Sequence, residues 1–312
     1  MSSARPAPRA NLPAPVSRAV LVVIHDPILR SYGGRTLREF SRWNDPERLA
    51  REYIDDVREC SYGYANYEIA ERIVVDGFPL KRDRFRYTEQ SYLAAMRTGR
   101  LHDPDGVDYL ELVREFDIID RVDSGEIDEV WLFGHPGAGY WESVMAGPGA
   151  FWCNAPPLSG TQHCSRRFVI MGFNYERGIG EMLEDLGHRA ESILGKVSER
   201  ATGDANLFER FTRYDLRSPG RAEVGNVHFA PNSVRDYDWG NPRLVLSSCH
   251  NWSDFPDLGG EPRTVSCAEW GSGDIREHHR WWLRHFPHIV GEAGGISWNW
   301  WEYVINPNRV QA

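Results

Sequence analysis

Residues 19–24 read Ala-Val-Leu-Val-Val-Ile and run directly into His25-Asp26-Pro27. This is the longest apolar run of the 312-residue chain. Its length suits a buried strand and falls far short of the roughly 18 residues that a membrane-spanning helix needs. A run without polar alternation is typical of a strand buried on both faces, as in a parallel sheet. The run therefore predicts the first strand of an α/β fold.

Strand and helix patterns alternate along the rest of the chain. Further strands are predicted at residues 64–75, 129–133, 167–173, 244–246 and 264–268. Helices are predicted from Asp45-Pro46-Glu47 to Arg58, at residues 89–97, at 107–116 and from Glu181 onward. This alternation predicts a largely parallel central sheet flanked by helices, with a Trp/His-rich C-terminal elaboration.

Domain organisation is predicted from composition. Residues 1–18 are rich in Pro, Ala and Arg, which indicates a disordered lead-in. Residues 19–312 are predicted to form a single α/β domain, because no proline- or glycine-rich hinge interrupts them. Within it, residues 19–200 are the core sheet and helices, and residues 201–312 are the Trp/His-rich elaboration packed on that core.

Charge and the N-terminal sequence limit the partners and the compartment. The net charge is 36 − 45 = −9, spread along the chain, which argues against a nucleic-acid partner. No apolar run predicts a membrane span, and the first residues lack the apolar segment of a signal peptide. As written, the chain is expected in the cytoplasm, or outside the cell if a leader has been removed. The oligomeric state stays open.

The cysteines and the absent motifs narrow the chemistry. Five cysteines without C-x-x-C spacing indicate reduced thiols, and export would allow the pairs Cys153/Cys164 and Cys249/Cys267. Cys153 is also a candidate nucleophile with His135 or His163. The chain has no G-x-G-x-x-G, no G-x-x-x-x-G-K-[ST] and no G-x-S-x-G. We therefore expect no nucleotide cofactor and not a usual serine hydrolase.

Polar residues directly follow several of the predicted strands. In open α/β sheets, ligands bind outside the carboxyl ends of the strands. This rule selects the residues after four strands, namely His25 and Asp26, His135, Asn174 and Glu176, and Cys249-His250-Asn251. We expect His25, His135 and Glu176 to converge at one edge of the sheet, unless a strand runs antiparallel.

The segment after His135 is rich in glycine. Four glycines and a proline between residues 137 and 149 allow tight turns and close approach to a ligand. Within it, Trp141-Glu142 sets a flat apolar ring beside a carboxylate. An apolar neighbour raises the pKa of a carboxyl group, and a general acid requires a raised pKa. We predict that Glu142 or Glu176 is the general acid and base, and that His135 and Asp26 are also catalytic. The alternative is a long turn that Trp141 anchors.

The predicted helix from Glu181 carries acids and a histidine on one face. Glu181, Glu184, His188 and Glu191 fall within an arc of about 80°. The pair Glu184 and His188 has the spacing of two metal ligands, with His135 as a possible third. His188-x-x-Glu191 resembles the paired zinc ligands of carboxypeptidase-type enzymes. One divalent metal, most simply zinc, is therefore the expected cofactor; the alternative is a solvated helix face.

Tryptophan is the strongest compositional bias. Eight of the 12 tryptophans lie after residue 238. Large rings can fill a core, or they can stack on sugars and other flat ligands. We predict Trp141, Trp282, Trp300 and Trp301 as substrate-binding residues, at least one of them lining the main pocket. His279, on the apolar face of a helix begun by Asp274, is expected to be buried.

These patterns together indicate a hydrolase, most simply metal-assisted, acting on a glycan-like or aromatic-bearing small molecule or oligosaccharide. Two alternatives stay open. One is a metal-free glycosidase that uses two carboxylates. The other is a non-catalytic carbohydrate-binding protein that uses the tryptophan-rich end.

Overall fold

The computed structural model describes residues 12–311, which form two compact units. We call Arg18–Ile54 with Tyr67–Arg189 the sheet unit, and residues 12–17, Asp55–Asn66 and 190–311 the aromatic unit. Most of the predicted lead-in, residues 1–11, lies outside the described residues, and residues 16–18 belong to the first strand. The division after Arg189 falls inside the helix Ile179–Ser198, so no change in composition marks it. That the chain forms a single domain stays a prediction.

The strands occur in the following order: β1 (Val16–His25), β2 (Ile28–Leu29), β3 (Arg35–Thr36), β4 (Ala65–Val75), β5 (Glu129–Gly134), β6 (Ser143–Ala146), β7 (Phe168–Asn174), β8 (Val245–Ser247), β9 (Arg263–Val265), β10 (His288–Ala293) and β11 (Ile296–Asn299). The α-helices are α1 (Leu37–Ser41), α2 (Pro46–Cys60), α3 (Glu89–Thr98), α4 (Tyr109–Glu115), α5 (Ile118–Asp123), α6 (Ile179–Ser198), α7 (Leu207–Phe211), α8 (Ile275–Arg284) and α9 (Trp301–Val304). None of these helices has the length and apolar character that a membrane crossing needs.

The central sheet has five strands in the order β4-β1-β5-β7-β6. β5 runs parallel to both of its neighbours, with Val22 opposite Trp131 and Trp131 opposite Met171. Residues 20–24 of β1 and the apolar residues of β5 are buried, because helices and loops cover both faces of the sheet. The prediction of a largely parallel sheet flanked by helices is confirmed.

Two parts of the strand prediction differ from the structure. Residues 143–146, predicted as part of a glycine-rich loop, form β6 and pair antiparallel with β7. Four residues between glycine-rich turns are too few to show a strand pattern. The strand predicted at 244–246 is β8, which pairs with β9 in a separate two-stranded sheet. Cys249-His250-Asn251 therefore does not follow a strand of the central sheet.

The helix prediction is close because capping residues mark the ends. α2 begins at Pro46 and ends at Cys60, two residues beyond the predicted end. α6 begins at Ile179, two residues before the predicted start, and buries Met182 and Leu186 on its apolar face. Asp274 caps α8 by accepting the backbone N–H of Glu277.

The aromatic unit holds a tryptophan-rich core. Phe211 lies at its centre, with ring centroids 5.0 Å from Trp252, 5.7 Å from Trp282 and 5.4 Å from Trp300. Edge-to-face contacts of this kind add to the stabilisation that burial provides. His279 is buried as predicted. The predicted Trp-rich C-terminal region is therefore a packed aromatic cluster.

Candidate functional site

The carboxyl ends of β1, β5 and β7 meet around Tyr175. Its hydroxyl donates to the carbonyl of His25 at 2.9 Å, and its ring lies 6.5 Å from that of His135. The hydroxyl of Tyr140 lies 2.7 Å from Nδ1 of His25. The parallel arrangement thus brings His25 and His135 to the same edge of the sheet.

Both histidines at this edge are closed to solvent. Each is 2% exposed, and burial lowers the pKa of His25 to about 3 and that of His135 to about 4. Nδ1 of His135 lies 3.1 Å from the carbonyl of Pro136, while its Nε2 has no partner among the described residues. The two imidazoles are therefore neutral at physiological pH, where they cannot act as acids.

The two acids predicted for this edge have separate surroundings. Asp26 is buried and accepts hydrogen bonds from the backbone N–H and the Nε of Arg38, at 2.9 and 3.4 Å. Its carboxylate thereby fixes the turn that follows β1. Glu176 is 41% exposed at its side chain and lies 3.5 Å from Arg177.

A second group of ionisable side chains joins β6 to α6. Glu184 and His188 are one turn apart on α6, and Nε2 of His188 lies 3.9 Å from a carboxylate oxygen of Glu184. The same Nε2 lies 3.9 Å from a carboxylate oxygen of Glu142. Glu142 directly precedes β6, where its carbonyl accepts the N–H of Gly172 on β7. We call Glu142, Glu184 and His188 the carboxylate–imidazole group.

Negative charge accumulates around this group. Burial of Asp185, together with the charges of Glu142 and Glu184, raises the pKa of its carboxyl well above the usual range. The side-chain amide of Asn154 donates to the carboxylate of Glu142. A bound cation would relieve the mutual repulsion of these carboxylates.

The third predicted metal ligand lies elsewhere. Among the described residues, His135 does not join Glu184 and His188 in a group with ligand atoms within 4.8 Å of one another. Packing against Phe78 and Tyr92 holds the His135 ring at the end of β5. The carboxylate of Glu191 accepts the backbone N–H of Val227 at 3.0 Å, a bond that the His188-x-x-Glu191 spacing could not reveal.

The four predicted substrate-binding tryptophans differ in exposure. Trp141 is partly buried and stacks on Tyr109, with ring centroids 5.2 Å apart, so it anchors the loop before β6. Trp282 and Trp301 are fully buried. Trp300 is 3% exposed and borders a cavity of about 390 Å³ beside the β10–β11 hairpin.

The sequence analysis missed Lys81, whose amine is fully buried. Its Nζ donates to the carbonyls of Asp105 and Gly137, each at 2.5 Å, and to the Asp105 carboxylate at 2.7 Å. Burial lowers the pKa of this amine, and Asp105 opposes that shift. Lys81 is one of only two lysines in the chain, and this rarity is the sequence feature that could have drawn attention to it.

Cys153 does not have the surroundings of a nucleophile. Its side chain is fully buried, and burial raises the pKa of the thiol to about 11. All five cysteines are free thiols. Since a reactive cysteine needs a thiolate, Cys153 is a core residue.

The histidines at the strand ends and the carboxylate–imidazole group differ in their exposure to solvent. The histidines at the strand ends are closed, whereas the side chain of Glu142 is 44% exposed and that of His188 is 16% exposed. Comparison of the chain with protein-family models, curated proteins and solved structures gave no match. The carboxylate–imidazole group is the candidate functional site, because it is both charged and accessible.

Proposed function

We propose that the protein is a metal-assisted hydrolase whose reaction centre is the carboxylate–imidazole group. The observation that carries the proposal is the position of His188 Nε2, 3.9 Å from a carboxylate oxygen of both Glu184 and Glu142. One imidazole and one carboxylate on the same helical face are a donor set used for zinc in proteins.

Glu184 and His188 are the proposed ligands. Glu184 is 11% exposed at its side chain and lies one helical turn before His188, so both donors are held by a rigid helix. A bound divalent cation supplies Lewis acidity and lowers the pKa of a coordinated water. Burial raises the pKa of Asp185, and the neighbouring carboxylates of Glu142 and Glu184 raise it further, so a cation bound by Glu184 and His188 would offset part of this negative charge.

Glu142 is the proposed general acid and base. Its carboxylate is exposed enough to reach a substrate, and the amide of Asn154 orients it. Trp152, 58% exposed, lies two residues before Asn154 and offers a flat surface on the same loop. An exposed ring on the loop whose Asn154 holds the Glu142 carboxylate supports a glycan-like or aromatic-bearing substrate.

The test uses the full chain stripped with a chelator and then reloaded with zinc. Turnover is followed on a panel of nitrophenyl glycosides, esters and peptides. If hydrolysis is metal-assisted, turnover falls on chelation and returns when zinc is added. Glu142→Gln is expected to lower turnover at least a hundredfold. Glu176→Gln is the control, because Glu176 contacts Arg177 instead. Turnover that ignores the chelator and needs both glutamates would favour the metal-free glycosidase.

A second candidate function, carbohydrate binding by the aromatic unit, is supported by two neighbouring cavities. Trp298 and Trp300 border the cavity of about 390 Å³, and a polar cavity of about 590 Å³ shares Arg200 and Ser297 with it. Aromatic rings beside charged side chains are the usual lining of a sugar site.

Calorimetric titration with oligosaccharides tests this second candidate. Trp298→Ala is expected to abolish binding, because Trp298 is the more accessible of the two rings. Trp152→Ala is the matched control, since it removes an exposed ring from the sheet unit. Unchanged binding by Trp298→Ala would exclude the aromatic unit as the sugar site.

A further inference from the structure

An aromatic groove lies at the carboxyl edge of the central sheet, apart from the carboxylate–imidazole group. Three of its contacts place it there. The ring of Trp43 is 6.0 Å from that of Tyr175, directly after β7. The ring of Tyr92 is 4.7 Å from that of His135, directly after β5. Leu37 donates its backbone N–H to Pro27, two residues after β1. This edge is where open α/β sheets bind ligands.

The groove is shaped for a flat, apolar molecule. Its volume is about 380 Å³, near the lower end for small-molecule pockets. Four aromatic rings line it, together with leucine and methionine side chains. Tyr32 is 46% exposed and Met96 is 36% exposed at its rim. Apolar surface left open in a concave site marks a binding surface.

One charge accompanies these rings. Among the described residues that line the groove, Arg97, in the last turn of α3, is the only charged one. Arg97 is exposed, and within residues 12–311 its guanidinium has no ion-pair partner. A guanidinium presents two parallel N–H donors, which fit a carboxylate. The groove therefore complements an anion joined to a flat ring.

We propose that this groove binds a small planar aromatic carboxylate. The ring lies among Tyr32, Phe40 and Trp43, and the carboxylate pairs with Arg97. A molecule of one or two fused rings fits the volume. The site is independent of the proposed hydrolase, because neither Glu142 nor His188 lines it.

Calorimetric titration of the full chain with 2-naphthoate tests this site, with 2-naphthamide as the neutral analogue. We expect saturable binding of 2-naphthoate, weakened about tenfold or more in Arg97→Gln, since a hydrogen bond to a charged group is lost. Tyr32→Ala removes an exposed ring and is expected to weaken both probes. Arg100→Gln, an exposed arginine just after α3, is the matched control and is expected to bind like the wild type.

Three results would overturn the proposal. One is the absence of saturable binding of 2-naphthoate by the wild-type chain. Another is an equal loss of affinity in Arg97→Gln and Arg100→Gln, which would show only a general charge effect. The third is binding unaffected by both Arg97→Gln and Tyr32→Ala, which would place the ligand outside the groove. Binding and turnover are separate readouts, so an inactive hydrolase site leaves this test intact.

Discussion

The imidazole of His188, in the middle of α6, lies 3.9 Å from the carboxylate of Glu142, which directly precedes β6. The contact follows from the topology of the sheet unit. β6 pairs antiparallel with β7 at the edge of the sheet, and α6 is the helix that follows β7. A strand edge and the helix after it thereby share one group of ionisable side chains.

Buried neutral histidines should make the folded protein less stable as the pH becomes acidic. The pKa of His135 is about 4 in the folded protein, below its ordinary value of 6.5. Its neutral form is favoured by folding, so stability is intact above pH 6.5 and falls as pH drops towards 4, because the unfolded chain binds the proton first. Between pH 7 and pH 5 this one residue should cost about 2 kcal/mol.

Urea unfolding at pH 7 and pH 5 checks this expectation. His135→Gln should reduce the difference in unfolding free energy between the two pH values by about 2 kcal/mol. His163→Gln, at an exposed position, should leave the difference unchanged. Equal pH dependence in the wild type and His135→Gln would contradict the buried neutral state.

Gly139 should tolerate no side chain. Its φ is +82°, and a Cβ would lie 1.9 Å from the carbonyl oxygen of Asp105 and 2.7 Å from Nζ of Lys81. Gly139→Ala therefore combines backbone strain with a clash at the buried amine, and should lower the free energy of unfolding by at least about 2 kcal/mol. Gly149→Ala has a similar φ but open space around it, so thermal unfolding should show a smaller loss. Equal losses would argue against the close approach.

The buried pair of Arg189 and Glu129 should be strongly coupled. Their Nη1 and Oε1 atoms are 2.6 Å apart, and Trp131 Nε1 donates to the same oxygen at 2.8 Å. Glu129→Gln leaves a buried guanidinium without its counter-charge and should cost about 3–5 kcal/mol. The double variant Glu129→Gln with Arg189→Met should recover part of that loss in a double-mutant cycle. A single-variant loss below about 1 kcal/mol would contradict the pairing.

Much of the sheet unit could be predicted from local sequence. β1, β5 and β7 could be predicted because strands buried on both faces consist of consecutive apolar residues. α2 and α8 were located by Asp-Pro and Gly-Asp capping patterns. β6 was missed because four residues between glycine-rich turns carry no periodic signal.

The candidate site was only partly predictable. Glu184 and His188 could be paired because helical spacing alone sets their proximity. Glu142 was selected as an acid, but its contact with His188 depends on the antiparallel placement of β6. The sequence also predicts His135 as a third ligand. Strand order alone does not give the distance from the end of its strand to the middle of α6, so the sequence could not show that His135 lies elsewhere. The aromatic groove depends on tertiary contacts of separate short segments, which no local pattern reports.

Zinc titration of the chelator-treated protein measures directly whether Glu184 and His188 form a metal site. Isothermal calorimetry is performed on the wild type, on His188→Ala and on His163→Ala, an exposed histidine, as the matched control. We expect one saturable site in the wild type and the control. We expect loss of that site in His188→Ala, whose unfolding free energy stays within about 0.5 kcal/mol of the wild type when both are compared without metal. Equal zinc binding by His188→Ala and the wild type would show that His188 is not a ligand.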